Sequence, residues 1–336
     1  MDTHPIQVLH YGLGPIGAAV LRIVAERPAL HVVGAVDVDP DKVGRDIGEV
    51  VGLGRALGVR VDGDATRALQ RLRPTVVVHC TGSSLVAVMP QLREIVAAGA
   101  SIVSTCEELS YPWARQQALA EELDALAREH GVAVLGTGVN PGFVMDLLPL
   151  VLSGVTSGVR AVQVRRVVDA SARRGPLQRK IGAGMTPTDF KQRADRGAMG
   201  HVGLRESLHM LAAGLGWEIQ DVTDTLEPMV AETALTTPHI TVRPGNVAGV
   251  HEVARGMTPL GKSLELDLAM YVGAPDPRDE VVIDGEPRIH MVVHGGIFGD
   301  TATAAIVANA IPAVQAATPG LRTMCELPTV TPHQDP

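Results

Sequence analysis

Three closely spaced glycines near the start of the chain constrain its fold more than any other feature. The surrounding order is a short apolar strand over residues 7–11, the glycines Gly12, Gly14 and Gly17, an amphipathic helix over residues 18–26, and a second strand over residues 31–38. Asp37 lies near the end of that second strand. This order of strand, glycine turn, helix, strand and acid is typical of a dinucleotide-binding fold, so we predict that the chain binds NAD or NADP.

Each glycine of the motif has a separate physical task. Gly12 allows the tight turn, Gly14 leaves room for a pyrophosphate, and Gly17 lets the helix pack closely on the strand. The first helical turn, which contains Pro15 and Ile16, offers N–H groups and the positive end of the helix dipole to the anion. Pro15 suits this position because its missing N–H would have no helical partner. A purely structural glycine turn is the alternative, and the flanking elements argue against it.

Asp37 bears on which dinucleotide is bound. A carboxylate at this point should accept hydrogen bonds from both hydroxyls of the adenosine ribose, which favours NAD because a 2′-phosphate would be repelled. Lys42 and Arg45 follow in a charged loop over residues 39–46 and could offset that repulsion. We interpret these two basic residues as part of a solvated loop, and NADP use stays open.

Composition favours a globular protein of two domains. The 336 residues are 46% hydrophobic and 20% charged, which argues against disorder. A net charge of −8 and 2% aromatic residues argue against a nucleic-acid surface. No apolar stretch is long enough to span a bilayer, and residues 1–5 lack signal-peptide features. Cys80, Cys106 and Cys325 have no metal-binding or redox spacing, so we expect a reduced, cytoplasmic protein.

The first 140 residues alternate between strands and helices. Further strands are predicted over residues 75–80, 101–104 and 132–135, and helices over residues 85–98 and 114–129. Nearly continuous apolar runs such as 75–80 are typical of parallel strands that are buried on both faces. We therefore predict an α/β fold, a Rossmann-type doubly wound parallel sheet, for a first domain over residues 1–140.

A second, α+β domain with a mixed or antiparallel sheet is predicted over residues 141–296. Residues 159–168 alternate between polar and apolar, which indicates a half-exposed antiparallel strand. Polar helices follow to Leu215, and the later strands are predicted around residues 240–242, 264–271, 281–283 and 289–293. Asp284-Gly285 separates the last two, which indicates a hairpin. A C-terminal segment over residues 297–336 carries a helix, 301–317, that we expect to return to the first domain.

The ends of the parallel strands define the predicted site before any further motif is considered, because ligands of such sheets bind beyond the carboxyl ends of their strands. The segment Thr81, Gly82, Ser83 and Ser84 follows one strand, and Thr105, Cys106, Glu107 and Glu108 follow the next. Small hydroxyl groups at the first segment suit the nicotinamide ribose. An ordinary Ser/Thr cap of the helix that begins at Leu85 is the alternative, and both functions are compatible.

The adjacent acids Glu107 and Glu108 are the candidate catalytic residues. A carboxylate beside the nicotinamide could bind a substrate ammonium, hydrogen-bond to an iminium, or accept a proton. Because adjacent side chains diverge, we expect one to face the cleft and the other to cap the following helix or meet solvent. Glu107 is favoured because it lies nearer the strand end. The alternative is that both acids only complement a helix N-terminus.

Other reactive side chains carry weaker indications. Cys106 has no evident histidine partner and is interpreted as a small apolar filler, not a nucleophile. The 12 histidines have no metal-ligand spacing, so no catalytic metal is expected. His201, His251 and His294 lie in the second domain and could line the cleft, although each is more often structural.

The chain resembles the 2,4-diaminopentanoate dehydrogenases and the related native amine dehydrogenases, within the dihydrodipicolinate reductase-like group. The resemblance covers most of the chain and rests on residues 11–17, 104–112, 136–146, 167–171 and 180–184. It implies a Rossmann domain joined to an α+β domain that forms homodimers. It also implies NAD(P)-dependent deamination of a small amine or diamine, or the reverse amination of an aldehyde or ketone with ammonia.

The resemblance also implies roles for individual residues. The catalytic glutamate of the family falls in the Cys106-Glu107-Glu108 segment. Residues bordering the nicotinamide would be Asn140, Pro141 and Gly142, and those shaping the substrate pocket would be Phe143 and Met145. A diamino acid substrate would need a cationic partner for its carboxylate, for which the candidates are Arg173, Arg174 and Lys180.

Two other functions stay open at this point. A cyclic-imine or dihydrodipicolinate-type reductase shares the fold, but the paired-histidine and lysine pattern of the dihydrodipicolinate reductases is missing from the second domain. A catalytically silent NAD-binding module is the other possibility. The intact glycines, Asp37 and both glutamates argue against it.

Overall fold

The computed structural model describes residues 5–197 and 199–332. The expectation about a signal peptide concerns residues 1–5, of which 1–4 lie outside the described part. The chain divides into two compact units. The first consists of Met1–Gly142 together with Gly299–Pro336, and the second of Phe143–Phe298.

The first unit is built on a seven-stranded sheet in which all paired strands are parallel. Its strands are β1 (Ile6–Tyr11), β2 (Leu30–Val36), β3 (Val61–Asp62), β4 (Val76–His79), β5 (Ser101–Ser104), β6 (Ala133–Gly136) and β15 (Gly320–Arg322), in the spatial order β15-β6-β5-β4-β1-β2-β3. Chain order reverses on either side of β1, which is the arrangement of a doubly wound sheet. The predicted α/β Rossmann-type fold is therefore confirmed.

Helices cover the sheet of the first unit. They are α1 (Pro15–Val24), α2 (Ile47–Val50), α3 (Ala65–Leu72), α4 (Leu85–Ala97), α5 (Gln117–Glu129) and α10 (Gly299–Gln315), with 3-10 turns at Glu107–Ser110 and Pro112–Ala114. Helix α1 begins at Pro15, which lies in its first turn as expected, so the helix starts three residues before the predicted range of 18–26. Helix α5 begins later than predicted, because the second 3-10 turn takes up residues 112–114.

The C-terminal helix belongs to the first unit. Helix α10 contacts α1 and β5, and Arg27 donates from Nη1 to the carbonyl oxygen of Ala308 at 3.1 Å. Strand β15 then pairs in parallel with β6. On the other face of the sheet, Leu9, Leu92 and Leu123 belong to one buried cluster.

The second unit contains a mixed six-stranded sheet with the order β14-β13-β7-β12-β11-β8. Its strands are β7 (Ser157–Asp169), β8 (Gln220–Val230), β11 (Val247–Met257), β12 (Ser263–Tyr271), β13 (Arg278–Glu286) and β14 (Ile289–His294), and a separate ribbon pairs β9 (Leu235–Thr236) with β10 (Thr241–Val242). Helices α6 (Leu147–Ser153), α7 (Gly175–Lys180), α8 (Pro187–Ala194) and α9 (Leu204–Gly214) complete the unit.

Three expectations about this sheet need correction. Strand β7 is antiparallel to β13 but parallel to β12, because an alternating pattern reports one exposed face and not the direction of the neighbours. The hairpin of β13 and β14 is confirmed, but Asp284-Gly285 lies inside β13 and the chain reverses after it. Strands β8 and β11 were not predicted, since β8 is largely polar and β11 contains two glycines.

No helix within residues 5–197 and 199–332 is long and apolar enough to cross a membrane. Over the same described ranges, no three His, Cys, Asp or Glu side chains are grouped in a way that could hold a metal ion.

Candidate active site

Gly12 and Gly17 are required by the packing of the first unit itself. Gly12 has a φ of +95°, and a Cβ atom there would lie 2.6 Å from the carbonyl oxygen of Cys80. A Cβ atom on Gly17 would lie 2.0 Å from the carbonyl oxygen of Gly12. Both distances are far shorter than van der Waals contact, so neither position accepts a side chain without rearrangement of the turn.

Gly14 is different, because nothing in the described protein requires a glycine there. Its φ of −66° and ψ of −177° are extended values that any residue adopts. No described atom lies within 4 Å of a Cβ atom built on Gly14. The residue caps the N-terminus of α1, where the N–H groups of the first turn lack intrahelical partners. A bare backbone beside unpaired donors is the cradle that a pyrophosphate needs.

The Asp37 carboxylate is tied to this loop. Its Oδ2 accepts the N–H of Leu13 at 2.7 Å, and its Oδ1 accepts the N–H of Asp39 at 2.9 Å. Burial alone would raise the pKa of Asp37, but these N–H donors and the Lys42 ammonium hold it below its usual range. Asp37 is therefore an ionised acceptor next to the glycine turn, as a ribose-binding acid must be.

The loop after Asp37 corrects one expectation. Lys42 is not simply solvated, because its Nζ lies 3.2 Å from Oδ2 of Asp37 and 3.2 Å from Oδ2 of Asp39. Arg45 is exposed, in agreement with the prediction. Val38 was not singled out from the sequence, yet its side chain is 88% exposed directly beside Asp37. The sequence feature that could have pointed to Val38 is its place as an apolar residue immediately after Asp37.

Two loops meet beyond the adjacent strands β4 and β5. The carbonyl oxygen of Ser83 accepts the Cys106 thiol at 3.2 Å and the N–H of Glu108 at 3.3 Å. Oε2 of Glu108 accepts the N–H of Leu85 at 2.7 Å, while Ser84 makes no side-chain cap to α4. The residues predicted at these two strand ends, Thr81 to Ser84 and Thr105 to Glu108, are thus brought together.

These contacts distinguish the two acids. Glu108 does cap a helix, but it caps α4, which precedes it in the chain, and not the following helix as expected. The reason is that neighbouring parallel strands deliver their C-terminal loops to the same edge of the sheet. Glu107 begins the 3-10 turn and is half-buried, and its carbonyl oxygen accepts the Ser110 hydroxyl at 2.7 Å.

Cys106 is unsuited to nucleophilic chemistry. Its side chain is 1% exposed, and burial raises the pKa of its thiol to about 12. A thiol that is not ionised near neutral pH is a poor nucleophile. The interpretation of Cys106 as a small buried filler is confirmed.

Asn140 carries the other unusual feature of this edge. It follows β6, is 8% exposed, and its amide nitrogen and oxygen have no hydrogen-bond partner among the described residues. The Oγ1 of Thr137 is also buried and has no hydrogen-bond partner among the described residues. The Asn140–Pro141 peptide bond is cis, and Gly142 has a φ of +122°. Because unpaired buried amides are costly, a ligand with its own donor and acceptor, such as a carboxamide, suits this position.

Comparison with known proteins identifies the family. Residues 143–335 match the family model described as the 2,4-diaminopentanoate dehydrogenase C-terminal domain. The chain is 31% identical over 332 residues to the 2,4-diaminopentanoate dehydrogenase of Acetoanaerobium sticklandii, covering 96% of this chain and 93% of that one. The chain belongs to the 2,4-diaminopentanoate dehydrogenase family.

Two further similarities agree with this membership. The amine dehydrogenase of Streptomyces virginiae is 27% identical over 327 residues, covering 91% of this chain and 89% of the relative. The structure of the amine dehydrogenase from Mycobacterium smegmatis matches with a TM-score of 0.89 and 29% identity, covering 98% of this chain and 97% of that one. The resemblance inferred from the sequence motifs is thereby confirmed.

In this family member, the residues predicted for the second unit are spread over different parts of it. Phe143 is partly exposed, whereas Met145 is fully buried. His251 lies 2.9 Å from Asp267 across β11 and β12, and His294 is exposed at the end of β14. His201 is partly buried, with its Nδ1 atom out of contact with solvent, and desolvation lowers its pKa to about 3.

Sequence reasoning missed a buried charged group in the second unit. Arg166 is 3% exposed and lies 3.5 Å from Asp279, and its Nη2 donates to the carbonyl oxygen of Ile297 at 2.6 Å. Arg173, considered above for a substrate carboxylate, is 7% exposed, and its guanidinium carbon lies 5.2 Å from the centre of the Phe298 ring. Burial raises the pKa of Glu252 to about 7. The available signal was the spacing, because period-two alternation places Arg166 on the same buried face as Val162 and Val164.

Proposed function

We propose that this family member is an NAD(P)-dependent amine dehydrogenase. It would oxidatively deaminate a small amine or diamine, or run the reverse amination of an aldehyde or ketone with ammonia. The single observation that carries the proposal is the open cradle at Gly14 with ionised Asp37 beside it, on the same sheet edge as Glu107 and Glu108. The printed names of the relatives, 2,4-diaminopentanoate dehydrogenase and amine dehydrogenase, supply the reaction class.

The reaction balances as follows. A protonated amine, water and the oxidised cofactor give a carbonyl compound, ammonium, the reduced cofactor and one proton. In the aminating direction, the bound cofactor supplies the hydride that adds to the carbon of the iminium. The loop at Gly14 would hold the pyrophosphate, Asp37 the adenosine ribose, and Asn140 the carboxamide of the nicotinamide.

Glu107 would serve the substrate nitrogen. A fixed carboxylate stabilises an iminium cation while positive charge is present, and it can accept or deliver the proton that amine and iminium exchange. Glu108 supports this assignment indirectly, because its own carboxylate is committed to the N-terminus of α4. Alignment of reacting groups contributes on the order of 7–11 kcal/mol to such reactions, so correct placement of this acid matters as much as its charge.

We propose NAD as the preferred cofactor and NADP as a weaker alternative. An ionised carboxylate at position 37 opposes a 2′-phosphate, and the Lys42 ammonium that could offset this repulsion is already paired with Asp37 and Asp39. Turnover with NADH and with NADPH under equal conditions measures this preference.

Substitution of the two acids tests the mechanism. We expect Glu107→Gln to lower kcat by about 10²–10⁴-fold, the usual contribution of general acid–base catalysis, with NADH affinity nearly unchanged. Glu108→Gln is the matched control, because its amide oxygen can still accept the N–H of Leu85 and turnover should stay close to that of the unsubstituted protein. Full activity in both variants would contradict the mechanism.

Two other functions make different predictions. A cyclic-imine or dihydrodipicolinate-type reductase would oxidise NADH with its substrate in the absence of ammonia, whereas the proposed reaction requires ammonia. A silent module would bind NADH and turn over no carbonyl compound. A screen of NADH oxidation with graded aldehydes and ketones, with and without ammonia, and with cyclic imines without ammonia, separates all three.

We also propose a homodimer in a reducing compartment such as the cytoplasm. The sheet of the second unit carries complementary charge pairs on one face, including Arg165 with Asp267 at 3.8 Å and Arg255 with Glu265 at 2.6 Å. That face also carries the small apolar cluster of Val167, Ala269 and Ala274. The mass in solution tests the dimer.

A further inference from the structure

His79 closes β4 at the sheet edge that carries the candidate site. It is fully buried, and its ring meets that of Tyr11 edge-on with centroids 5.7 Å apart. Its Nδ1 lies 2.9 Å from Oγ of Ser104, and its Nε2 lies 2.8 Å from Oε1 of Gln91 and 2.8 Å from Oγ1 of Thr81. The ring therefore contacts the ends of two strands and one helix at the same time.

The chemistry of these partners fixes the direction of each hydrogen bond. Oε1 of Gln91 can only accept, so Nε2 of His79 carries the ring proton and donates it. The Thr81 hydroxyl donates to the same oxygen at 2.6 Å. Nδ1 then accepts the hydroxyl proton of Ser104, whose oxygen in turn accepts the N–H of Cys106 at 3.1 Å. The network is complete with a neutral ring, and burial lowers the pKa of His79 to about 4, which keeps it neutral.

This network reaches both loops of the candidate site. Thr81 begins the loop after β4, and Cys106 directly precedes Glu107. We propose that His79 is a positioning residue that holds these two loops together and sets the orientation of Glu107 through Ser104 and the N–H of Cys106. The catalytic part of this inference rests on the proposed function, whereas the structural part does not.

Packing alone does not explain a histidine here. The three preceding residues of β4 are valines, and an apolar side chain at position 79 would be buried without the cost of desolvating an imidazole. His10 provides an internal comparison. It is equally buried in neighbouring β1, but neither ring nitrogen has a hydrogen-bond partner within the described part of the chain.

The activity test uses His79→Leu, Ser104→Ala and the double variant, with His10→Leu as the matched control. We expect each single variant to lower kcat about tenfold, because small misplacement of a catalytic group has effects of this size or larger. KM for the carbonyl substrate should change little, since the ring does not contact substrate. The double variant should lose no more than either single variant, because both break the same link. His10→Leu should keep the kcat of the unsubstituted protein.

The second test needs neither cofactor nor turnover. We expect His79→Leu to accelerate hydrogen–deuterium exchange in residues 104–110 at least about tenfold, since exchange follows local opening, whereas His10→Leu should leave it unchanged. If His79→Leu does not fold, the pair His79→Asn and His79→Gln replaces it. The asparagine oxygen can still accept from Ser104, so His79→Asn should retain more activity and protection than His79→Gln. Equal activity and equal protection in the two variants would then contradict the positioning role.

The outcomes separate the two proposals. Unchanged exchange and unchanged kcat in folded His79→Leu would overturn the positioning role, as would a double variant whose loss is the product of the single losses. If the unsubstituted protein fails to turn over any amine or carbonyl compound, the proposed function is wrong. The exchange experiment then still decides whether His79 holds the two loops.

Discussion

At the scale of single residues, the three glycines of the motif separate into two kinds. Gly12 and Gly17 are needed because the chain passes within van der Waals distance of itself. Gly14 has an ordinary backbone conformation and open space where its Cβ atom would be. A glycine that neither conformation nor packing requires indicates an approaching ligand.

Alanine at position 14 should therefore affect NADH binding, whereas alanine at position 17 should affect the stability of the fold. We expect Gly14→Ala to leave the urea midpoint nearly unchanged but to weaken NADH binding by about tenfold, which corresponds to about 1.4 kcal/mol. Gly17→Ala should lower stability by at least about 1 kcal/mol, because its Cβ atom would overlap the carbonyl oxygen of Gly12. Fluorescence titration with NADH and urea unfolding measure the two effects. Equal NADH affinity in folded Gly14→Ala would remove the evidence for the cradle.

At the scale of elements, helix α4 depends on an acid that lies outside it. The N–H of Leu85 in its first turn is accepted by Glu108, which follows β5. The positive end of the helix dipole adds to this interaction. The acid thus joins a helix and a loop that are distant in sequence.

Removal of this cap should destabilise the first unit. We expect Glu108→Ala to lower the free energy of unfolding by about 0.5–2 kcal/mol, the usual cost of losing an N-terminal cap. Glu108→Gln should lower it less, because an acceptor oxygen is retained while the charge is lost. Urea unfolding of the three proteins makes the comparison, and identical midpoints would show that the contact contributes nothing.

The elements also mark where sequence reasoning succeeds. Strand β4 was predicted because burial on both faces leaves a nearly continuous apolar run, and the glycine turn because its spacing follows a strand and precedes a helix. Edge strand β8 was missed because its residues are largely polar and most of them are exposed. The cap from Glu108 and the network of His79 could not be predicted, since each depends on which strands become neighbours.

At the scale of the whole molecule, buried histidines are distributed unequally between the two units. Burial lowers the pKa of His10 to about 3 and that of His79 to about 4, both in the first unit. The second unit contains His201, with a pKa lowered to about 3, and Glu252, with a pKa raised to about 7. The unfolded chain protonates its histidines near pH 6.5.

These pKa shifts predict which unit loses stability first as the pH falls. As the pH falls below 6.5, the unfolded first unit gains protons on His10 and His79 that the folded unit does not take up. The stability of the first unit should therefore fall by up to about 1.4 kcal/mol per pH unit for each histidine. In the second unit, folded Glu252 holds a proton between pH 4.5 and 7 that the unfolded chain lacks. This uptake opposes the loss at His201.

Hydrogen–deuterium exchange of peptides from each unit at pH 7.5 and pH 5.5, corrected for intrinsic rates, measures this difference. We expect protection to fall more in the first unit than in the second. His10→Leu should remove about one proton from the pH dependence and raise stability, because no described residue bonds to that ring. Equal acid sensitivity of the two units would contradict the assignment.

The first unit is formed by two chain segments, one before and one after the second unit in the sequence. The later segment supplies α10, which packs on α1, and β15, which pairs with β6. During synthesis, β6 emerges with one edge unpaired. Its partner appears only after all of Phe143–Phe298 has been translated. The first unit is therefore translated largely before the second unit, but its sheet can be completed only after the second unit has been synthesised.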